Sequence, residues 1–154
     1  MAEKEKIILE VRVPRENEYT PESATALFSG FSKTLSGQSL INRLRKKEPE
    51  PVILEIACYQ QMIRFHAVVS ETTQSFFESQ LLAAYPLAVI QALPDYLTNW
   101  EKEKLSVGQM VQSTTYYYPL KTYKDFTDID PLSSILAVMS KAGKEDKFLI
   151  QFIL

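Results

Sequence analysis

Cysteine occurs once in this 154-residue chain, at Cys58, histidine once, at His66, and glycine only four times. A lone thiol excludes an intrachain disulfide and a thiolate metal cage, which fits a reducing compartment. A metal at His66 would need further ligands, and none stands at a suitable sequence spacing. Scarce glycine works against a phosphate loop, whose glycines let backbone N–H groups crowd the phosphates; Gly143-Lys144 is followed by Glu145 and lacks the earlier glycine. The GxSxG nucleophile elbow is absent. No run is long enough for a signal peptide or membrane span, since the apolar IILEVRVP follows the charged MAEKEK and is broken by Glu10 and Arg12. Neither charge dominates: a net charge of −2 and a pI near 5.5 give no general attraction to nucleic acid or anionic lipid. The length suits one core, or two small units sharing one, and a soluble chain is expected.

What is present is a clear order of elements. Ile7, Leu9, Val11 and Val13 alternate with Ile8, Glu10 and Arg12, a half-buried strand ended by Pro14. Thr20 caps and Pro21 opens a helix in which Ala24, Leu27, Phe28, Phe31 and Leu35 recur at helical spacing up to Ser36-Gly37. After the charged connection RLRKKEPEP, the stretch PVILEIACYQQMIRFHAVVS predicts a hairpin turning at Gln60-Gln61. Pairing Tyr59 with Met62 puts Leu54, Ile56 and Cys58 on one face with Ile63, Phe65 and Ala67, and Glu55, Arg64 and His66 on the other. A second helix, capped at Thr72 or Thr73, turns Phe76, Phe77, Leu81, Ala84 and Tyr85 inward before Pro86 ends it, and Ala88 to Leu93 reads as a strand. The order βαββαβ predicts an α+β, ferredoxin-like sandwich over residues 1–97.

Residues 98–109 read as a polar connector, and residues 110–154 as a second βαβ element, either a truncated half of another such unit or an appendix on the first. Its parts are the strand MVQSTTYYYPL, a helix capped by Asp130 with Leu132, Ile135, Leu136 and Met139 inward, and the strand KFLIQFIL. That last strand is apolar on both faces, with Phe148, Ile150, Phe152 and Leu154 on one and Leu149 and Ile153 on the other. Burying those side chains is worth roughly 10–15 kcal/mol before entropy is charged, so the strand is expected to find cover from this chain or from something attached to it.

Candidate chemistry is sparse. Cys58 and His66 fall on opposite strand faces, which leaves Cys58 a small core residue and His66 opposite Glu55 a charge pair on an open sheet face. Asp125, Asp128 and Asp130 are spaced DxxDxD but lack the glycine and closing glutamate of a calcium loop, and helix capping explains them better. RNA recognition on such a sheet needs outward aromatics; Ile8, Glu10, Arg12, Arg64, His66 and Val68 hold those places. The basic cluster Arg43, Arg45, Lys46 and Lys47 is flanked by Glu48 and Glu50 and reads as a solvated loop. No catalytic, metal or cofactor-binding residue is expected, and nucleic acid is not an expected partner. The residues best suited to a protein interface are Tyr116, Tyr118, Phe148, Ile150 and Phe152, large groups that supply contact area at low entropic cost.

Three stretches, IILEVRVPRENEYTPESATALF, ESQLLAAYPLAVIQALPDY and YYYPLKTYKDFTDIDPLSSILAVMSKAGKEDKFLIQFIL, together resemble the non-catalytic N-terminal region of bacterial type IV secretion and conjugation-related ATPases, the FtsK/HerA-like motor proteins of candidate-phylum type. The resemblance spans nearly the whole chain and rests on structural markers. It implies a cytoplasmic accessory domain, held at the inner face of the membrane through its parent, that works by contacts with the rest of that parent or with other subunits. The family's phosphate-loop residues have no counterparts here, so no ATPase activity carries over to any position. On this reading KFLIQFIL ends an excised domain. An alternative reading is a stand-alone ferredoxin-like small-molecule-binding module that homodimerises through its C-terminal strand.

Overall fold

The computed structural model describes residues 6–14, 16, 19–36, 51–101, 104–111, 113, 121–126, 130 and 132–154. The first six elements follow the order expected from periodicity: β1 (Lys6–Arg12), α1 (Pro21–Ser36), β2 (Ile53–Tyr59), β3 (Met62–Ser70), α2 (Glu71–Ala84) and β4 (Val89–Leu93). Beyond them come a short 3-10 turn (Tyr96–Asn99), a second (Tyr123–Asp125), α3 (Ser133–Met139) and β5 (Phe148–Ile153). The β2–β3 turn holds Gln60 at φ 52° and Gln61 at φ 60°. Left-handed backbone at both central residues is the two-residue turn whose twist matches the flanking strands, made here without the usual Asn-Gly. The cap of α2 lies earlier than expected, at Ser70: its backbone N–H donates to Thr73 Oγ1 at 3.1 Å, so Thr73 closes the first turn and does not precede it.

The strands form one five-stranded sheet in the order β4-β1-β3-β2-β5, with every neighbouring pair antiparallel. Tyr59 pairs with Met62, and Leu54, Ile56 and Cys58 stand opposite Ala67, Phe65 and Ile63, the register that the alternation of the hairpin predicts. On the face carrying these residues, α1 and α2 close a core of Leu9, Leu27, Phe31, Val52, Ala67, Val69, Phe77 and Leu81. Phe31 and Phe77 stack with ring centres 5.4 Å apart. A second cluster on the same face joins Ile56, Cys58, Met139 and Ala142 with Leu132, Leu136 and Ile150, and the Cys58 thiol sits 3.3 Å from the Met139 carbonyl. Asp130 Oδ1 accepts from the Leu132 N–H at 2.9 Å ahead of α3. Ile135, expected inward, is 37% exposed, because so short a helix turns only Leu136 and Met139 onto the sheet.

β5 does find a neighbour. It pairs with β2 from Ile53↔Ile153 to Cys58↔Phe148, so Phe148, Ile150 and Phe152 continue the apolar rows begun by Cys58, Ile56 and Leu54. The cover expected for its side chains is only partial: Phe152 remains 41%, Ile153 71% and Leu154 43% exposed. Of the strand expected at MVQSTTYYYPL, Met110, Val111 and Ser113 lie in no strand, and residues 114–120 fall outside the described part.

Candidate functional site

One edge of the sheet is β4 and the other is β5. The Leu154 N–H donates to the Val52 carbonyl at 3.0 Å, which fixes which residues of the last strand turn their backbone toward β2. In an antiparallel ladder that direction alternates, so Phe148, Ile150 and Phe152 bond to β2, while Leu149, Gln151 and Ile153 aim N–H and C=O outward. Among the described residues no strand pairs with that outer side. Beside it Ser134, Ile135, Val138, Met139, Phe148, Leu149 and Ile150 line an open groove of about 370 Å³. Val138 is 63% exposed there. This edge is neutral and apolar, and between Phe148 and Ile153 it carries neither of two features that commonly blunt exposed strands, proline and charge.

The opposite face of the sheet is not open, contrary to expectation. Glu10, Glu55 and His66 are all buried on it, together with Ile8, Ala57 and Val68. The 3-10 turn after β4, started by Asp95 Oδ1 accepting from the Leu97 N–H at 2.8 Å, lays Tyr96 over this face. The Tyr96 ring lies 5.3 Å from that of Tyr59, 4.7 Å from that of His66 and 6.2 Å from that of Trp100. Glu55 accepts from the Tyr96 hydroxyl at 2.7 Å and from Gln151 Nε2 at 2.8 Å. The second bond ties β5 to the sheet interior in a single register, since a one-residue slip would turn Gln151 to the apolar face.

Charge on this face is balanced unevenly. Glu10 accepts from Arg64 at 3.1 Å and from Arg12 at 2.9 Å. Burial pushes the Glu10 pKa up, but the two guanidinium groups outweigh it and hold the carboxyl below its ordinary range. His66 stands opposite Glu55 as the alternation predicts, yet its Nδ1 is 3.9 Å from the carboxylate, too long for a hydrogen bond, and both ring nitrogens are buried without a hydrogen-bond partner among the described residues. Desolvation lowers the His66 pKa, with Arg64 adding to it, against the pull of Glu55 and Glu10. The ring is therefore neutral near pH 7. Burial, then the bond to Glu55, raises the Tyr96 phenol pKa. His66 cannot reach a substrate unless Tyr96 moves, and Glu55 already holds two donors, so the cluster as arranged positions Tyr96 and β5.

A family model for a domain of unknown function, DUF8128, matches residues 1–154. The chain belongs to the DUF8128 family. No curated protein and no solved structure matches it.

Of the residues that the sequence marks for an interface in this DUF8128 chain, Phe148, Ile150 and Phe152 lie together on β5, with Phe148 and Ile150 lining the groove. Tyr116 and Tyr118 lie outside the described residues, as do Asp128 and the basic cluster Arg43 to Lys47. Asp125 accepts from the Thr122 N–H at 2.7 Å, and Asp130 caps the approach to α3, so both serve local turns. Among the described residues no group of three or more His, Cys, Asp or Glu side chains is placed to hold a metal ion, and no helix is long and apolar enough to cross a membrane. Sequence reasoning missed Tyr96, Trp100 and Gln151. The signal for the first two was a pair of large aromatics inside an otherwise polar stretch, and for Gln151 a single polar residue in an apolar strand facing Glu55.

Proposed function

We propose that this DUF8128 chain is a non-catalytic assembly domain, with a ferredoxin-like βαββαβ body whose added strand, β5, presents the contact surface. The observation that carries the reading is the outward edge of Leu149, Gln151 and Ile153 beside the exposed apolar groups of Ile135, Val138 and Phe148. An edge with no strand partner among the described residues, next to an apolar groove, supports strand addition, in which backbone bonds give affinity and side-chain pockets give selectivity. The resemblance to the N-terminal region of type IV secretion and conjugation-related ATPases supplies the setting: a parent motor whose subunits, or whose membrane channel, the domain would hold together.

The test is a photo-cross-linking amino acid placed at Val138 in the source cells, with a control at Met62, the exposed first residue of β3. Adducts identified by mass spectrometry as motor or channel subunits, or as copies of the same chain, at Val138 and not at Met62 are the expected result. Absence of any Val138 adduct, or equal labelling at both positions, contradicts the reading. The groove's volume also favours a second reading, a small-molecule-binding module that dimerises through β5. Ser134 alone contributes a polar side chain to that lining, which leaves little to orient a polar ligand.

A further inference from the structure

We infer that the occupant of the β5 edge is a second copy of this chain, paired antiparallel about a two-fold axis at Gln151, so that two five-stranded sheets become one. The inference rests on reading that edge as a contact surface and adds the partner and the register. Three features of β5 converge on it.

The first is the direction of the backbone groups. Leu149, Gln151 and Ile153 point outward, and Gln151 is the middle one. A two-fold there sets Gln151 against Gln151 of the second copy and Leu149 against its Ile153, so every outward residue joins a hydrogen-bonded pair, giving about six interchain bonds. Moving the axis to Phe152 leaves Leu149 facing no residue of the strand, and moving it to Ile150 sets Ile153 against Lys147, which lies outside β5.

The second is the side-chain pattern, FLIQFIL, which is apolar at matched distances on both sides of Gln151. Around that axis Ile150 adjoins the second copy's Phe152, and Phe148 its Leu154, on the helix-bearing face. No charge lies between Phe148 and Leu154, so self-pairing brings no like charges together.

The third is the helix layer. A two-fold axis perpendicular to the sheet keeps both helix layers on one side, and the α3 of each copy borders the shared edge. Val138, 63% exposed, and Ile135, 37% exposed, then meet their counterparts across the joined grooves.

The test uses cysteine placed on β5 of the full chain, with Cys58 retained because it is 1% exposed. Paired backbones at a hydrogen-bonded position lie within the reach of a disulfide, so Gln151→Cys is expected to form a covalent dimer on mild oxidation. Leu149→Cys and Ile153→Cys are each expected to stay monomeric on denaturing gels, because equivalent residues would be about 13 Å apart, while the double variant is expected to link. Since Gln151→Cys also loses the bond to Glu55, Ile153→Pro serves as a second variant. It removes an outward N–H and no bond to β2, and should weaken the dimer measured by light scattering about tenfold or more. Cross-linking through Leu149→Cys or Ile153→Cys alone overturns the register. A wild-type chain that stays monomeric at about 100 μM, a hundredfold above a dissociation constant of about 1 μM, overturns the dimer. In that case a Val138 adduct with a different protein leaves the assembly reading standing, and no adduct removes both.

Discussion

Replacing Tyr96 by phenylalanine isolates the bond that seals the polar face. The ring keeps its contacts with Tyr59, His66 and Trp100, at centre distances of 5.3, 4.7 and 6.2 Å, so only the hydroxyl 2.7 Å from Glu55 is lost. Glu55 is 2% exposed and would keep one donor, Gln151. A hydrogen bond to a charged group contributes about 1.5–3 kcal/mol, and the vacated lone pair stays out of water, so a loss of about 2 kcal/mol is expected. For a chain of this size that lowers Tm by about 4–8 °C. Urea titration and calorimetry measure it. Repeating the change in a Glu55→Gln background should roughly halve the cost, because the acceptor there is neutral. A Tm shift below about 1 °C for Tyr96→Phe, or an equal cost in both backgrounds, would refute the assignment of that hydroxyl to a buried carboxylate.

Other consequences follow from the same geometry. Gln60→Asn with Gln61→Gly should stabilise the chain by about 1–2 kcal/mol in urea melts, since both positions have left-handed backbone; no gain would mean that the 3.5 Å contact from Gln61 to the Ala142 carbonyl matters more than the strain. The lowered His66 pKa means that the unfolded chain takes up this proton first as pH falls, so stability is full above pH ~6.5 and declines below it, by at most about 1.4 kcal/mol per unit. His66→Phe should flatten the fall in stability that begins below about pH 6.5, and an unchanged slope contradicts the buried neutral ring. Glu10, held low by Arg64 and Arg12, contributes above its ordinary carboxyl range and loses that contribution only as pH falls through its folded value, so Glu10→Gln should alter the acid limb below about pH 4.5. Phe77→Ala, at the centre of the helix-side core, should cost about 3–5 kcal/mol and show as cooperative unfolding at lower urea.

Alternation made the hairpin legible in the sequence: Glu55, Arg64 and His66 can face one way only if Tyr59 meets Met62, and the turn forms there even without glycine. The helices were legible for the same reason, although the cap expected at Thr72 or Thr73 lies at Ser70, whose hydroxyl offers the same local chemistry earlier in the turn. The long-range contacts were not legible. Nothing in KFLIQFIL names β2 as its neighbour, because a strand apolar on both faces suits many positions in a sheet. The polar face looked open since its cover comes from Tyr96 and Trp100, two aromatics in a stretch without periodicity. Burial of Glu55 and His66 was therefore invisible until that stretch was placed over them.

Whether the outer side of β5 is a contact surface is measured directly by residue-resolved amide hydrogen exchange, followed by NMR across a dilution series. In the dilute chain slow exchange is expected at Ile150, Phe152 and Leu154, whose N–H groups face β2, and fast exchange at Leu149, Gln151 and Ile153, with the fast set becoming protected as concentration rises. Protection of the outward amides in the dilute monomer would mean that the chain covers its own edge. Fast exchange at every concentration, with no adduct at Val138, would mean that nothing covers it. Either result would contradict a contact surface on β5.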